Sequence, residues 1–149
     1  MKRSKSITKL SEALAKSQSE YPPFVNNRSG YNFQYLDLAG ILKIALPILG
    51  KNGLSVIQES GFLVKGDVPY ISVLTLLSCE DEFIENYITF PMILPSKNTD
   101  TDIGCMGSTI SYLRRYALQA MLGVYGNDEE VEQIVQENNN NNGEQNELD

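Results

Sequence analysis

The chain has 149 residues, with 12 lysines and arginines against 19 aspartates and glutamates, which gives a formal net charge of −7. Taken whole, this balance argues against a nucleic-acid-binding protein, because phosphate contacts need clustered cations. The chain contains no histidine, which excludes the commonest general base, any Ser-His or Cys-His nucleophile pair and any histidine metal site. Its two cysteines form neither a disulfide framework nor a CxxC metal motif, a usage typical of a reducing compartment.

The charge is unevenly distributed along the chain. All 12 basic residues lie in residues 1–127 together with 11 acidic ones, so this segment has a formal charge of +1. Residues 128–149 contain eight acidic residues, a run of five asparagines and no basic residue. We therefore expect one folded domain over 1–127 and an acidic, disordered tail over 128–149. No long apolar run follows the basic N-terminus, so we expect no signal peptide, no membrane contact and a cytoplasmic location.

The first third of the chain has the apolar periodicity of two helices. Residues 7–20 are predicted to form an amphipathic helix with Ser6 as its N-cap, ending before two consecutive prolines. Residues 35–46 are predicted to form a second helix. Pro47 is expected to disrupt or end it, because proline lacks the amide donor that the next turn needs.

Four runs rich in β-branched and aromatic residues follow, at residues 54–58, 62–64, 70–79 and 83–90. They predict an antiparallel meander of three or four strands. A third helix is predicted from about 104 to 123, and its core face is expected to consist of Met106, Ile110, Leu113, Ala117, Ala120 and Val124. The predicted class is α+β, an antiparallel β-meander packed on helices.

The most informative segment lies in this third helix and reads Gly107-Ser108-Thr109-Ile110-Ser111-Tyr112-Leu113-Arg114-Arg115-Tyr116-Ala117-Leu118. On a helical wheel, Tyr112 lies beside the face opposite the core, Arg114 lies nearer the boundary, and the face itself carries Ser108, Ser111, Arg115 and Gln119. Adjacent arginines with interleaved tyrosines offer phosphate pairing and aromatic platforms together, as single-stranded nucleic acid requires. The alternative is a solvated helix edge whose aromatic residues close the core.

Small and basic residues extend this hypothesis. Gly104, Gly107 and Ser108 fall near the predicted helix start, where small side chains allow close approach and free amides favour an anion. Lys65 and Lys97 are predicted in loops from which they could reach DNA, although isolated lysines are usually just surface residues.

The segment resembles the signature of the Erf family (essential recombination function) of phage single-strand annealing proteins, written loosely as G-S-x-I-T-Y-x-R-R-Y-x-L. The family commonly adds acidic residues just beyond, where this chain has Asp128-Glu129-Glu130. Upstream blocks are similar too. These are Ile7 to Gln18, Phe33-x-Tyr35-x-Asp37-Leu38, Pro47-x-Leu49-x-Lys51-x-Gly53-Leu54, and Gln58. The resemblance covers about residues 5–130.

The resemblance implies ATP-independent binding and annealing of single-stranded DNA in phage or prophage recombination, carried by residues 1–127. It implies a β-β-β-α core with an added helix, assembly of copies into a ring or filament, and no cofactor or catalytic residue. Leu118 and Leu122, on the outward side of the third helix, are then interpreted as interdomain core or, in preference, a subunit contact, and Tyr35 as a packing residue. The candidate DNA-binding residues are Arg114, Arg115, Tyr112, Tyr116, Ser108, Ser111, Gln119, Lys65 and Lys97.

Two other functions remain open from the sequence. One is a metal-dependent nuclease built on carboxylates, either at a predicted hairpin (Glu80, Asp81, Glu82 and Glu85) or in loops and tail (Asp100, Asp102, Asp128, Glu129 and Glu130). Solvated turns explain these residues better. The other is a non-annealing interaction module. The acidic tail is either a solubilising extension, a competitor of DNA for the arginines, or a docking segment for a host single-strand-binding or replication protein.

Overall fold

The computed structural model describes residues 1–29, 34–92 and 99–125. In chain order its elements are β1 (Lys2–Arg3), α1 (Thr8–Glu20), β2 (Arg28–Ser29), β3 (Gln34–Tyr35), α2 (Leu38–Lys51), β4 (Leu54–Lys65), β5 (Val68–Cys79), β6 (Glu82–Pro91) and α3 (Thr99–Leu122). The main sheet is antiparallel, with strand order β1-β6-β5-β4, and β2 pairs with β3 separately. The predicted α+β class and antiparallel meander are confirmed, while assembly into a ring or filament stays a prediction.

Helix α1 begins with a cap that comes from the sheet. The prediction of Ser6 as N-cap is wrong, because Ile7 occupies that position without a side-chain cap bond. Instead, the Glu82 carboxylate of β6 accepts a hydrogen bond of 2.9 Å from the amide of Leu10, and Ser6 Oγ donates to the same carboxylate at 2.6 Å. These bonds lower the pKa of Glu82. A carboxylate at the positive end of a helix stabilises it.

Helix α2 continues through Pro47, so the prediction that Pro47 ends the helix is wrong. Pro47 and Lys43, whose carbonyl loses its amide donor, are both exposed, and water can hydrate that carbonyl. The helix begins after Asp37, whose carboxylate accepts a hydrogen bond of 2.7 Å from the amide of Gly40. The predicted start at 35 is wrong, because Tyr35 belongs to β3.

The predicted runs 54–58 and 62–64 are one continuous strand, β4. It pairs with β5 in unbroken register from Leu54 opposite Cys79 to Lys65 opposite Val68. Gly66 turns the chain with φ +61° and Glu80 with φ +52°, so both hairpin turns use the left-handed backbone region. Lys65 therefore ends a strand, where the sequence predicted a loop.

The core lies between one face of the sheet and the three helices. Its fully buried aliphatic side chains come from both layers and include Leu10, Ile41, Leu49, Leu77, Leu118 and Leu122. The interpretation of Leu118 and Leu122 as an outward subunit contact is therefore wrong. The predicted core face of α3 is correct at Ala117 and Val124 and wrong at Ala120, which is exposed. The helix is rotated so that positions 115, 118 and 122 point inward.

Candidate nucleic-acid interface

The guanidinium of Arg115 lies inside a cage of three tyrosines. Its central carbon is 4.7 Å from the ring centroid of Tyr35 and 4.9 Å from those of Tyr112 and Tyr116. Nη1 donates to the carbonyl of Leu36 at 3.4 Å, and Nη2 to the hydroxyl of Tyr116 at 3.1 Å. The residue is only 7% exposed. The prediction that Arg115 lies on the face opposite the core is therefore wrong.

The charge of Arg115 has no carboxylate partner within the described parts of the chain. The ion pairs found there join Lys2 to Glu85, Lys9 to Glu80, Arg28 to Asp37 and Lys51 to Glu20. Burying a cation costs free energy unless it is paired. The tyrosine faces offset part of that cost through cation–π attraction, yet the net positive charge remains. Such a position favours an incoming anion.

Arg115 borders a cleft of about 460 Å³ between α3 and the start of α2. Tyr35, Leu38 and Ala39 line one side, and the α3 residues Gly104, Gly107, Ser108, Ser111 and Tyr112 line the other. A Cβ built on either glycine would meet no atom within 4 Å. Packing therefore does not require glycine at these two positions, and the missing side chains keep the cleft open.

The helix N-terminus that lies at the cleft belongs to α2, not to α3. Because α3 already begins at Thr99, Gly104 and Gly107 lie inside it, and the prediction of free amides there is wrong. The helix that begins at the cleft is α2, with Leu38 and Ala39 in its first turn. The positive end of its dipole faces the same space as Arg115.

Asp37 also lines the cleft, and its negative charge is fully engaged. It accepts hydrogen bonds from Asn27 Nδ2 at 2.8 Å, Arg28 Nε at 2.9 Å and the amide of Gly40 at 2.7 Å. These bonds, that from Asn27 foremost, lower the pKa of the Asp37 carboxyl to about 2. Asp37 therefore fixes the start of α2, and Arg28 balances its charge.

Tyr112 and Tyr116 supply the aromatic surface. Their ring centroids are 6.2 Å apart with an interplanar angle of 27°, and the residues are 47% and 50% exposed. One set of ring atoms contacts Arg115 while the rest meet solvent. Half-exposed aromatic rings of this kind accept a stacked base.

Arg114 has surroundings quite unlike those of its neighbour Arg115. Its Nε donates to Gln58 Oε1 at 3.3 Å, and Gln58 Nε2 donates to the Arg114 carbonyl at 2.9 Å and to Thr75 Oγ1 at 3.0 Å. Arg114 thus attaches α3 to β4 and β5, and the two arginines do not form one adjacent pair of phosphate contacts.

The structure brings together only some of the other predicted site residues. Ser108 and Ser111 line the cleft, and Ser111 Oγ donates to the Gly107 carbonyl at 2.9 Å. The cleft lining, as far as the structure describes it, does not include Gln119 or Lys65. The Nζ of Lys65 lies 5.3 Å from the ring centroid of Tyr70. Lys97 lies outside the described residues.

Three residues near the site, Tyr35, Asp37 and Arg28, are not among the DNA-binding residues predicted from the sequence. A signal for Asp37 existed, since an aspartate before an apolar periodic run is a helix N-cap pattern. Tyr35 stands in a family-like block but was predicted only to be a packing residue, and Arg28 carried no signal. Both reach the site through the folding of the chain segment before α2.

Three of the four acidic residues of the β5–β6 hairpin contact other parts of the protein. Glu80 pairs with Lys9, Glu85 pairs with Lys2 at 3.2 Å, and Glu82 caps α1. Across the described residues no group of three or more acidic or cysteine side chains is placed to hold a metal ion. The side chain of Asp100 and residues 128–130 lie outside the described part.

The fold and the cleft define a class, an α+β domain in which a helix presents a cation and aromatic rings to an open groove. The chain belongs to the ERF superfamily, whose family model matches residues 6–148. At the family level these proteins act in phage recombination and single-strand annealing, and they are not known as catalysts. Comparisons with curated proteins and with solved structures gave no match. No helix in the described residues is long and apolar enough to cross a membrane.

Proposed function

We propose that this chain binds single-stranded DNA and anneals complementary strands without ATP, in phage or prophage recombination. Membership of the ERF superfamily supports the reaction. The observation that carries the assignment to a site is the buried Arg115, which has no carboxylate partner in the described residues and borders an open cleft.

In this proposal a DNA phosphate enters the cleft and pairs with the Arg115 guanidinium. Arginine donates two parallel hydrogen bonds to a phosphate, and the dipole of α2 adds attraction from the opposite wall. Ser108 and Ser111 supply hydroxyls to the strand backbone. The open space beside Gly104 and Gly107 admits the sugar-phosphate chain.

Bases next to that phosphate stack on the exposed parts of Tyr112 and Tyr116. Stacking uses the face of a base and leaves its Watson–Crick edge free. A second strand then tests pairing against a strand that is already unstacked and charge-neutralised. The chemistry is non-covalent, so ATP is not needed.

We further propose that copies assemble into a ring or filament, because a domain with a charge near zero binds weakly alone. Each phosphate contact steepens the dependence of log affinity on log salt by about 0.7 for single strands. Repeating the cleft along one strand multiplies a few contacts per copy into strong binding. We propose that the DNA strand, where it passes from the cleft of one copy to that of the next, contacts four further residues: Arg114, Gln119, Lys65 and Lys97.

The tail, residues 128–149, carries eight acidic residues. We propose that it competes with DNA for the cleft beside Arg115. The alternative is that it docks a host single-strand-binding or replication protein. Either role depends on its charge, since its composition cannot form a packed core.

The proposal is tested by fluorescence annealing of complementary oligonucleotides in EDTA and without ATP. Annealing above the spontaneous rate is expected, together with full-length strands afterwards. A chain that neither binds single strands nor accelerates annealing would contradict the proposal. Magnesium-dependent shortening of the strands would instead indicate a nuclease.

A further inference from the structure

Within the described parts of the chain, the distal half of β4, residues 59–65, is an unpaired edge of the main sheet. Strand β4 stands last in the sheet order and, among the described residues, pairs with β5 alone. Natural edge strands are commonly blunted by proline, bulges, shortness or charged side chains, and of these devices β4 has only the charges of Glu59 and Lys65. This strand is 12 residues long, contains no proline and keeps an unbroken register. Its outward backbone groups therefore have no strand partner among the described residues.

The same segment exposes large apolar side chains. Leu54 and Val56, at the start of β4, pack in the core, whereas Phe62 is 60% and Val64 70% exposed. A long edge strand that exposes apolar side chains favours pairing with a further strand.

We propose that residues 59–65 pair antiparallel with the same segment of a second copy of this chain. Phe62 lies opposite Phe62 of the second copy at the two-fold axis. In this register Ser60 faces Val64, Gly61 faces Leu63, and Glu59 faces Lys65, each pair occurring twice. Direct cross-strand pairs of opposite charge or of two aromatic rings stabilise antiparallel strands.

Charge complementarity selects both the partner and the register. Glu59 and Lys65 are the charged residues of β4, and both point to the face of the sheet away from the helices. The position of Lys65 Nζ, 5.3 Å from the Tyr70 ring, places its side chain over that face. A shift of two residues puts Glu59 opposite Leu63 or Asp67, and both charge pairs are lost.

The contact is isologous, so it closes at two copies. A ring or filament needs a second, different surface. The inference therefore goes beyond the proposed function and does not rest on DNA binding.

Charge reversal tests the pairing, with mass measured by analytical ultracentrifugation without DNA over a micromolar concentration series. E59K and K65E each replace two attractive pairs by two repulsive ones, so the dissociation constant of the two-copy species should rise about tenfold or more. The double variant E59K/K65E restores both pairs and should restore the constant. E12K, the same charge change on the exposed face of α1, is the matched control.

A second measurement uses cysteine. F62C places two thiols opposite each other at the axis, so mild oxidation should give a covalent pair of copies. V64C, on the same face of the same strand, faces residue 60 and should not cross-link. A monomeric unchanged chain, single reversals that behave like E12K, a double variant that stays weakened, or equal cross-linking of F62C and V64C would each overturn the proposal.

Discussion

Arg115 and Tyr35 are 80 positions apart in the sequence, yet the guanidinium carbon lies 4.7 Å from the tyrosine ring centroid. This contact connects α3 to the strand before α2, and both residues line the cleft. It makes one arginine both a part of the interior and the cation proposed to meet DNA. The consequences of that double role are measurable.

Replacing Arg115 by lysine keeps the charge but removes the planar, forked donor that stacks on the rings. We expect R115K to weaken single-strand binding about tenfold while the protein stays folded. Fluorescence anisotropy with a labelled oligonucleotide measures the affinity, and circular dichroism monitors folding. R3K makes the same exchange at the exposed Arg3 of β1 and should bind normally. Equal affinity of both variants would remove Arg115 from the interface.

Tyr112 is proposed to act through its aromatic face rather than its hydroxyl. Y112F should bind single strands as the unchanged protein does, whereas Y112A should lose about 1–3 kcal/mol per stacked base. The residue is half-exposed, so neither variant should unfold. Quenching of tyrosine fluorescence by DNA gives an independent reading of stacking. A loss of affinity in Y112F would assign the role to the hydroxyl instead.

Substitutions at Gly107 allow protein stability and DNA binding to be tested separately. G107A should stabilise the protein by about 0.5–1 kcal/mol, because glycine inside a helix is disfavoured and a Cβ here meets no atom within 4 Å. G107L should also fold, but its longer side chain fills part of the cleft and should weaken single-strand binding. Thermal unfolding of both variants measures stability, and fluorescence anisotropy measures their binding of single-stranded DNA. Unchanged DNA binding by G107L would place the strand elsewhere.

The Asp37 carboxyl predicts acid sensitivity with a definite sign. Its pKa is about 2 in the folded protein and 3.8 as the ordinary value. Its stabilising contribution is therefore complete above pH 4 and disappears as the pH falls towards 2. The pKa values of Glu20 and Glu82 are also lowered, so D37N should reduce the pH dependence without abolishing it. Urea unfolding at pH 5 and at pH 2.5 gives the free energy of unfolding of each protein. If this free energy falls by the same amount in D37N as in the unchanged protein, the prediction is contradicted.

Deleting residues 128–149 should raise single-strand affinity, and mostly at low salt, because the removed charge is eight carboxylates. Single-strand affinity is measured against salt concentration for the full chain and for the shortened chain. The difference in affinity should vanish at high ionic strength. No difference at low salt would leave the tail a solubilising or docking role.

Much of the fold was predictable because periodicity is local. The alternation of β5 and the apolar spacing of α1 gave bounds within two residues of those observed. The apolar spacing of α2 located that helix but missed both of its ends. The orientation of α3 was not predictable in the same way. It carries two overlapping apolar stripes, and contact with Leu36 and Tyr35 places Arg115 inward. The cap of α1 by Glu82 was equally hidden, because the two residues that make it are 72 positions apart.

That cap from β6 has a consequence for how the chain acquires its structure. The first turn of α1 is completed by a carboxylate that reaches it only after the β5–β6 hairpin has formed. A peptide of residues 1–20 should therefore be largely unstructured in water, since short helices need tertiary packing. Helix α1 is thus expected to become stable only when the β5–β6 hairpin that caps it is in place.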